Sequence, residues 1–352
     1  MRLSTTFTRV RHMALLLRES HLRELLAMRE LIPLMARTLG AFSSGGAVQP
    51  VRSVVPVERY GGFLGVMAAY LMPSAQGGAA GAAAESSETL GLKAVAFYPN
   101  NAARKLPTHL ATILLLDPAT GALRAVLDGR LITEMRTAAV SAAATDPLAR
   151  RDARVLALLG AGVQARAHLE ALREVRPPAD VRVWSRTQAG AERFASEMRE
   201  RLGVQVTVAA SAERAVRGAD VICTVTGSTT PVVEGDWLAP GAHLNAVGAA
   251  RPDWRELATD VVRRARLFVD SRAGAVTEAG DVVGPIGEGA ITERHIVAEI
   301  GEVFAGRHPG RENQDEITLF KSLGMAVEDV ATARFAYARA QAKGIGEEIR
   351  LE

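Results

Sequence analysis

The amino-acid sequence predicts an α/β protein that combines a doubly wound parallel sheet with a second, α+β half. Between Arg154 and Val269, short apolar runs alternate with helical stretches, which is typical of parallel strands joined by crossover helices. Ahead of this region, a helix pair is followed by several β-like runs. The 352 residues correspond to roughly two domains at about 150 residues each, so both halves can bury a core.

Composition and charge exclude several classes of protein. Charged residues make up 23% of the chain and hydrophobic residues 48%, which excludes a disordered chain and a coiled coil. The net charge is only +3 and the basic residues are not clustered, so we expect no nucleic-acid partner. Apolar runs such as Ile113–Leu116 are too short to cross a membrane. A single cysteine, Cys223, rules out an internal disulfide and favours a cytoplasmic location.

The beginning of the chain is basic. Three arginines precede the apolar run Met13–Leu17, an arrangement that briefly resembles a signal peptide. The run is short and no small-residue cleavage site follows it. We therefore expect residues 1–12 to be a basic, poorly ordered extension, with Met13 as an alternative start.

The first half reads as helices followed by antiparallel strands. Apolar residues at helical spacing predict an amphipathic helix pair over Leu15–Leu39. Strands are predicted over Val51–Val57, Phe63–Met72, Leu90–Phe97, His109–Leu116 and Leu123–Leu127. The turn Asp117–Gly121 makes the last two a hairpin. Ser74–Glu88, mostly Ala, Gly and Ser, cannot bury a core and is expected to be a surface loop.

The second half begins with an alanine-rich helix over Glu134–Ala144, which Thr133 is expected to cap and Asp146-Pro147 to end. Strands are then predicted over Arg154–Leu159, Val181–Trp184, Val204–Val208, Val221–Val225, His243–Val247 and Leu267–Val269, with helices between them such as Gln164–Val175 and Ala189–Leu202. A tail helix is predicted over Ile317–Ala342, and by sequence alone it belongs to neither half. We expect Asp315 or Thr318 to begin the last helix.

A glycine-rich loop marks a dinucleotide site. Gly160–Ala165 follows the apolar strand Val155–Leu159, opens a helix and fits the pattern G-x-G-x-x-G/A. Gly160 allows the tight turn, Gly162 lets a pyrophosphate approach the backbone, and Ala165 permits close packing of helix on sheet. The helix N-terminus then stabilises the phosphate charge. A purely structural turn is the alternative.

The end of the second strand indicates which dinucleotide binds. NAD sites usually carry an acidic residue there for the ribose hydroxyls, whereas this strand ends in Trp184-Ser185-Arg186-Thr187. Arg186 offers a guanidinium to a 2′-phosphate, and the two neighbouring residues offer hydroxyls. The sequence therefore predicts NADPH/NADP as cofactor, with NAD less favoured. A solvated arginine on a loop is the alternative.

Two further segments lie where ligands bind in this architecture. Thr224–Gly227 and Val247–Ala249 follow the fourth and fifth strands, at their carboxyl ends. Cys223 lies within the fourth strand, which favours a buried structural thiol over a catalytic one.

Five segments carry a resemblance to a known family: Val48–Arg52, Glu134–Ala139, Leu159–Ala165, Asn245–Leu257 and Leu319–Asp329. Through them the chain resembles the ornithine cyclodeaminase/mu-crystallin family over nearly its whole length. The resemblance implies a Rossmann-type NADP-binding domain over residues 141–315. It implies a second α+β domain, residues 1–140 with 316–352, for substrate binding and dimerisation. The expected partners are a small imino or amino acid and a second copy of the chain.

Three cations that hold the substrate carboxylate in such proteins match Arg52, Lys93 and Arg136. Residue chemistry supports two of them independently. Lys93 interrupts an apolar run, and a buried lysine needs an anionic partner. Arg136 is expected in the first turn of its helix, where the helix dipole gives a cation no gain. For each residue alone, a surface cation or a structural ion pair is the alternative.

The resemblance also implies nucleotide contacts at Thr108, His109, Arg136, Ala161, Gln164, Ser185, Arg186, Thr187, Thr226, Val247 and Ser322. The glycine loop adds Gly160, Gly162 and Val163, and the end of the fourth strand adds Thr224. Lys93 and His109 are the catalytic candidates. His109 is a candidate proton relay, with a structural role at the core edge as the alternative. No metal site is expected, because the sequence has no His-x-x-x-His motif and no cysteine pair.

One position distinguishes the branches of the family. Ornithine-cyclising members carry an aspartate, as base and as partner of the substrate's distal amine, where this chain has Ala250. A methyl group can do neither, so ornithine cyclodeaminase activity is disfavoured. Asp253 is the nearest carboxylate, but we expect it to cap a helix that begins near Trp254. The run Ala249–Glu256 resembles the mu-crystallin, ketimine-reductase branch, whose NADPH preference agrees with Arg186.

The implied reaction is reduction of a cyclic ketimine such as Δ1-pyrroline-2-carboxylate or Δ1-piperideine-2-carboxylate. The three cations would hold the carboxylate and orient the imine carbon. Hydride transfer to a protonated imine neutralises its charge, so a strong base is not needed, which is consistent with Ala250. Two alternatives remain open: reductive amination of a 2-oxo acid, as in alanine dehydrogenase-like relatives, and a non-enzymatic protein that binds NADPH or another small ligand.

Overall fold

The computed structural model describes residues 13–73 and 88–350. The predicted extension 1–12, and all of the predicted loop except Glu88, lie outside the described residues. The described chain forms two eight-stranded sheets with helices packed on them, which confirms the predicted α/β class.

The first part of the chain contains β1 (Met13–Leu17), α1 (Glu19–Leu25), α2 (Met28–Ser43), β2 (Ala47–Val48), β3 (Ser53–Val57), β4 (Gly62–Leu71), β5 (Thr89–Phe97), β6 (His109–Leu116), β7 (Leu123–Asp128) and α3 (Gly129–Leu148). The first sheet has the order β16-β1-β7-β6-β5-β4-β2, with β3 paired to β4 and β16 contributed by Glu347–Arg350. Its pairs are antiparallel except for β1 and β7. The predicted hairpin is confirmed, since Asp117 accepts hydrogen bonds from the backbone of its own turn.

The second part contains β8 (Val155–Leu159), α4 (Val163–Val175), β9 (Asp180–Trp184), α5 (Gln188–Leu202), β10 (Thr207–Val208), α6 (Ala212–Val216), β11 (Val221–Thr224), β12 (His243–Ala246), α7 (Thr259–Arg264), β13 (Arg266–Val269), α8 (Arg272–Glu278), α9 (Gly280–Gly287), β14 (Ile296–Glu299), α10 (Ile300–Phe304), β15 (Thr318–Lys321) and α11 (Ala326–Lys343). The second sheet has the order β10-β9-β8-β11-β12-β15-β13-β14, and all its pairs are parallel. The doubly wound parallel sheet is therefore confirmed, with β14 and β15 as strands that the sequence analysis missed.

The predicted tail helix was wrong over its first residues. Thr318–Lys321 is β15, a fully buried strand between β12 and β13, and the helix begins only at Ala326. Gly324 lies between the strand and the helix, and its φ of +78° makes a turn there that suits glycine. α11 then packs against α2, β4 and β5 of the first sheet. The division into residues 1–140 with 316–352 and residues 141–315 stays a prediction.

Two helix boundaries were also wrong. Residues 13–17 form β1 and not helix, since the strand completes the first sheet beside β7. α3 begins at Gly129 because the Asp128 side chain accepts hydrogen bonds from Arg130 and Leu131. Thr133 therefore lies inside α3 and does not cap it, and α3 continues past Pro147.

Candidate functional site

The carboxyl ends of the parallel strands β8, β9, β11, β12 and β15 meet at one edge of the second sheet, which we call the strand-end edge. Every nucleotide contact predicted between residues 160 and 322 follows one of these strands or ends it. The parallel topology thus brings together segments that are far apart in sequence, at the place where α/β sheets bind ligands.

The glycine loop has the geometry that its pattern predicts. Gly160 has a φ of +117°, and a Cβ atom there would lie 2.7 Å from the carbonyl oxygen of Val225. Only glycine tolerates this turn beside the end of β11. At Gly162, by contrast, a Cβ would meet nothing within 4 Å, which leaves the backbone open to a ligand. Val163 begins α4 with an exposed side chain, and Ala165 is buried against the sheet.

Buried polar atoms without partners line the same edge. Among the described residues, Gln164 Oε1, Thr224 Oγ1 and Ser322 Oγ are buried and make no hydrogen bond. A buried polar group without a partner is costly, so such atoms indicate a ligand that completes them. All three belong to the predicted nucleotide contacts. Together with the open backbone at Gly162, they fit a dinucleotide.

Ser185, Arg186 and Thr187 follow β9, with Arg186 and Thr187 exposed. Thr187 is the N-cap of α5, but its side chain caps no backbone N–H, so the first turn of that helix keeps free donors. Within the described part of the chain, the Arg186 guanidinium has neither an ion pair nor a hydrogen bond. A free guanidinium beside a helix N-terminus is suited to a phosphate.

A buried ionic network behind the strand-end edge was not foreseen. Glu256 Oε1 accepts hydrogen bonds from the backbone N–H and the hydroxyl of Thr226, both at 2.6 Å. Lys321 Nζ lies 3.0 Å from Asp281 Oδ2 and donates to the carbonyl of Gly248. Burial raises the pKa of Glu256 against the opposing effect of Lys321. This network fixes the loops that carry Thr226 and Val247.

The loop after β12 departs from its predicted conformation. Val247 donates a backbone hydrogen bond to Thr224, and Ala249 has a φ of +53°, which is strained for a residue with a Cβ. Ala250 follows directly and is half-buried. No helix begins at Trp254: the next helix is α7, and Asp253 pairs with Arg251 at 3.0 Å instead of capping. The helix-cap prediction for Asp253 was therefore wrong.

Lys93 and Arg136 are buried and meet two carboxylates of α11. Lys93 Nζ lies 2.5 Å from Asp329 Oδ2, and Arg136 Nε lies 2.9 Å from Asp329 Oδ1. Arg136 also reaches Glu328 Oε2 at 2.7 Å. Arg136 lies in the third turn of α3, so the argument from the helix dipole was wrong, and its partners are these carboxylates. The anionic partner expected for Lys93 is Asp329.

Arg52 joins the other two cations through the chain that leads into α11. Its guanidinium lies 3.0 Å from Glu278 and donates to the carbonyls of Leu323 and Gly324. A Cβ at Gly324 would lie 2.4 Å from Arg136, so both guanidinium groups lie close to this glycine. The structure thus brings the three predicted cations together. A cleft beside Arg52 is lined by Met67, Asp270, Glu278, Leu323, Gly324 and Met325, among others.

Burial shifts the pKa values of Lys93 and Glu328 to between about 7 and about 8. Burial lowers the pKa of Lys93 to about 8, although Asp329 raises it. Burial raises the pKa of Glu328 to about 7, although Arg136 lowers it. Ionisable groups with shifted pKa values beside a cleft are typical of functional sites.

His109 lies at the edge of this site. It is in register with Phe97 on β5, and the two rings are 4.5 Å apart. Trp254 contacts Phe97 from the loop after β12, so this aromatic cluster joins the two sheets. Desolvation and the nearby charge of Lys93 lower the pKa of His109, which favours the neutral ring at physiological pH. Thr108 Oγ1 lies 3.3 Å from its Nδ1.

Two remaining predictions concern other chemistry. Cys223 is fully buried in β11, and burial raises the pKa of its thiol to about 12, as expected of a structural cysteine. Within residues 13–73 and 88–350, no group of His, Cys, Asp or Glu side chains could hold a metal ion. No helix in the same residues is long and apolar enough to span a bilayer.

The sequence analysis missed the carboxylates of the site: Glu256, Asp270, Asp281, Glu328 and Asp329. Lys321 offered the same signal as Lys93, a lysine in an apolar run. The acids at the start of α11 had no such signal, because acidic residues are ordinary in the first turn of a helix.

Comparison with known proteins agrees with this geometry. A model of the ornithine cyclodeaminase/mu-crystallin family matches residues 12–344. The chain is 47% identical to ketimine reductase mu-crystallin of Mus musculus over 87% of this chain and 91% of the relative. A structure of Thermococcus litoralis Δ1-pyrroline-2-carboxylate reductase with NADH and L-proline matches with a TM-score of 0.89 at 41% identity, covering 95% and 100% of the two chains. An archaeal alanine dehydrogenase dimer with bound NAD matches with a TM-score of 0.88 at 33% identity, covering 97% and 100%.

Proposed function

The chain belongs to the ornithine cyclodeaminase/mu-crystallin family of NAD(P)H-dependent oxidoreductases, and we propose that it reduces cyclic ketimines that carry a carboxylate. The observation that carries this proposal is the group of three cations, Arg52, Lys93 and Arg136, next to a strand-end edge suited to a dinucleotide. The relatives named as ketimine reductase and Δ1-pyrroline-2-carboxylate reductase support the same substrate class.

The residues of the strand-end edge would hold the cofactor. The backbone around Gly162 and the N-terminus of α4 would bind the pyrophosphate. Gln164, Thr224 and Ser322 would hydrogen-bond the rest of the dinucleotide through their buried unpaired oxygens. A bound reduced nicotinamide supplies the hydride for the imine carbon.

The cations act by binding and orientation. Arg52 and Arg136 would bind the substrate carboxylate, and Lys93 would add a third charge from β5. Fixing the carboxylate orients the imine carbon toward the cofactor. This orientation lowers the activation free energy of hydride transfer. His109 is the candidate that relays a proton from solvent to the ring nitrogen, because a neutral ring can donate at one nitrogen while it accepts at the other.

We further propose a preference for NADP(H) over NAD(H). The support is the unpaired guanidinium of Arg186 at the open N-terminus of α5, with no acidic residue at the end of β9. Two solved relatives hold NADH or NAD, so the preference is a property to be measured on this chain. The unpaired, buried Cys223 agrees with a cytoplasmic location.

A second candidate activity is reductive amination of a 2-oxo acid, which the match to alanine dehydrogenase favours. It needs the same carboxylate clamp and cofactor, but ammonia in place of a ring nitrogen. Ornithine cyclodeaminase activity stays disfavoured, since Ala250 supplies no carboxylate. A non-enzymatic binder of NADPH is disfavoured because the cations lie beside the cofactor edge.

The test of the proposed function is NADPH consumption with a panel of substrates. We expect turnover of Δ1-piperideine-2-carboxylate or Δ1-pyrroline-2-carboxylate with a kcat/KM at least about tenfold above that for pyruvate with ammonia. The reverse order would assign the chain to the alanine dehydrogenase activity. NADPH binding without turnover of any member of the panel would make it a binding protein.

We also propose that the chain forms a homodimer through the first sheet. Val55, Leu64, Ala96 and Leu110 are in register across β3, β4, β5 and β6, and the three larger side chains are exposed. An exposed apolar row of this kind is typical of an interface. We expect sedimentation equilibrium to give the mass of two chains, and Leu64→Glu to give one. A wild-type monomer would contradict this proposal.

A further inference from the structure

Glu328 and Asp329 already hold Lys93 and Arg136, two of the three cations that the proposed function assigns to a substrate carboxylate. Both acids are fully buried in the first turns of α11. Asp329 forms ion pairs with both Lys93 and Arg136, whereas Glu328 forms one with Arg136. A carboxylate that binds Arg136 would therefore lie close to two buried negative charges. Charges of the same sign repel strongly where little water screens them.

The charges around Glu328 form one connected group. Arg136 on α3, Asp329 on α11 and Asp270 after β13 act on Glu328 itself. Lys93 on β5 joins the group through Asp329, Arg136 and Arg52, and Arg52 is paired with Glu278. With Glu328 included, the group holds one carboxyl more than it holds cations. A ligand that brings a carboxylate and no positive charge of its own would raise this excess to two in a place with little water, which is unfavourable unless one acid becomes neutral.

We propose that Glu328 is a positioning residue that takes up one proton from solvent when the substrate carboxylate binds and returns it when the product leaves. This inference rests on the proposed function, because it needs the carboxylate to bind at Arg136. Protonation removes the charge that competes for the guanidinium, so Arg136 is freed to bind the substrate.

The geometry singles out Glu328 from the other acids. Neutralising Asp329 would weaken two ion pairs, and Asp270 accepts backbone hydrogen bonds from Ser271, Leu323 and Gly324. Both oxygens of Glu278 face the Arg52 guanidinium. Glu328 has one ion pair, and its Oε1 makes no hydrogen bond among the described residues although it is buried. With a proton on this oxygen, Glu328 can donate a hydrogen bond to the substrate carboxylate.

The direction of the pH effect follows from the same contacts. Burial raises the pKa of Glu328 to about 7 in the free protein, and a bound anion would raise it further. Binding therefore takes up a proton above about pH 7 and weakens as the pH rises. Lys93, with a pKa of about 8, adds its own weakening only at higher pH.

The experiment uses pyrrole-2-carboxylate, a planar carboxylate whose ring nitrogen does not titrate, with the full chain saturated with NADPH. Between pH 6 and 8, we expect the Kd of the wild-type protein to rise about 10- to 20-fold, about tenfold from one proton bound with a pKa near 7 and up to twofold from Lys93. Glu328→Gln mimics the protonated acid, so its Kd should rise no more than about twofold, through Lys93. Glu170→Gln is the matched control and should follow the wild type, because Glu170 on α4 pairs with Arg201 and with none of the three cations.

Calorimetry in buffers of different ionisation enthalpy measures the same proton directly. At pH 7.5 the wild-type protein should take up at least about half a proton, a readout that does not depend on the variant folding. Equal pH dependence in wild type and Glu328→Gln, or binding without proton uptake, would overturn the inference and leave the proposed function intact. No binding of pyrrole-2-carboxylate at any pH would overturn the carboxylate clamp itself, and the inference with it.

Discussion

Replacing Arg136 with methionine is expected to lower kcat/KM for a cyclic ketimine by at least about hundredfold, mainly through a higher KM. A charge-assisted, two-point contact with a carboxylate contributes about 2–5 kcal/mol when it is desolvated, and methionine fills the space without replacing it. Steady-state kinetics with saturating NADPH measures the effect. Arg136→Lys keeps the charge but not the fork, so we expect an intermediate loss.

The same substitution should lower stability, because Glu328 and Asp329 would keep only Lys93 as a buried cation. Breaking a buried ion pair by removing one partner costs about 3–5 kcal/mol. Arg130→Met is the matched control: Arg130 lies on the same helix but pairs with Glu19 and Glu134, away from the site. An unchanged KM in both Arg136→Met and Arg52→Met would refute the carboxylate clamp.

Replacing Arg186 with alanine is expected to lower kcat/KM for NADPH by roughly 10- to 100-fold and to leave the value for NADH within about twofold. The predicted 2′-phosphate contact is one partly exposed guanidinium–phosphate pair, which contributes about 1.5–3 kcal/mol. NADH lacks the phosphate, so it loses nothing. The measurement is the ratio of kcat/KM for the two cofactors.

The control for this prediction is Arg199→Ala, an exposed arginine near the other end of α5 that hydrogen-bonds Gln205. It removes the same charge about 16 Å further along the helix and should leave the ratio unchanged. A wild-type protein that uses both cofactors equally, or prefers NADH, would contradict the assignment of Arg186.

The sequence was sufficient for features that depend on local chemistry. The glycine loop was predictable because a strand, a φ of +117° at Gly160 and a helix must follow one another within a few residues. The antiparallel strands β4, β5 and β6 were predictable from apolar runs between turn residues. Both kinds of signal lie within a short window of the chain.

Features that depend on distant partners were not predictable. Thr318–Lys321 reads equally well as helix or strand, and only its place between β12 and β13 decides for the strand. Lys93 predicted a buried anionic partner but not its identity, because Asp329 lies more than 200 residues further along the chain. α3 began one turn earlier than expected because Asp128, at the end of β7, is a better cap than Thr133.

The reduction of a cyclic ketimine held by Arg136 is tested most directly by the initial rate of NADPH oxidation with Δ1-piperideine-2-carboxylate. The rate is measured for the wild-type protein and for Arg136→Met at equal concentrations of folded protein. We expect rapid, saturable oxidation by the wild-type protein, and a kcat/KM at least about hundredfold lower in the variant. Equal kcat/KM values in the two proteins, or no oxidation by the wild type with any cyclic ketimine, would contradict this expectation.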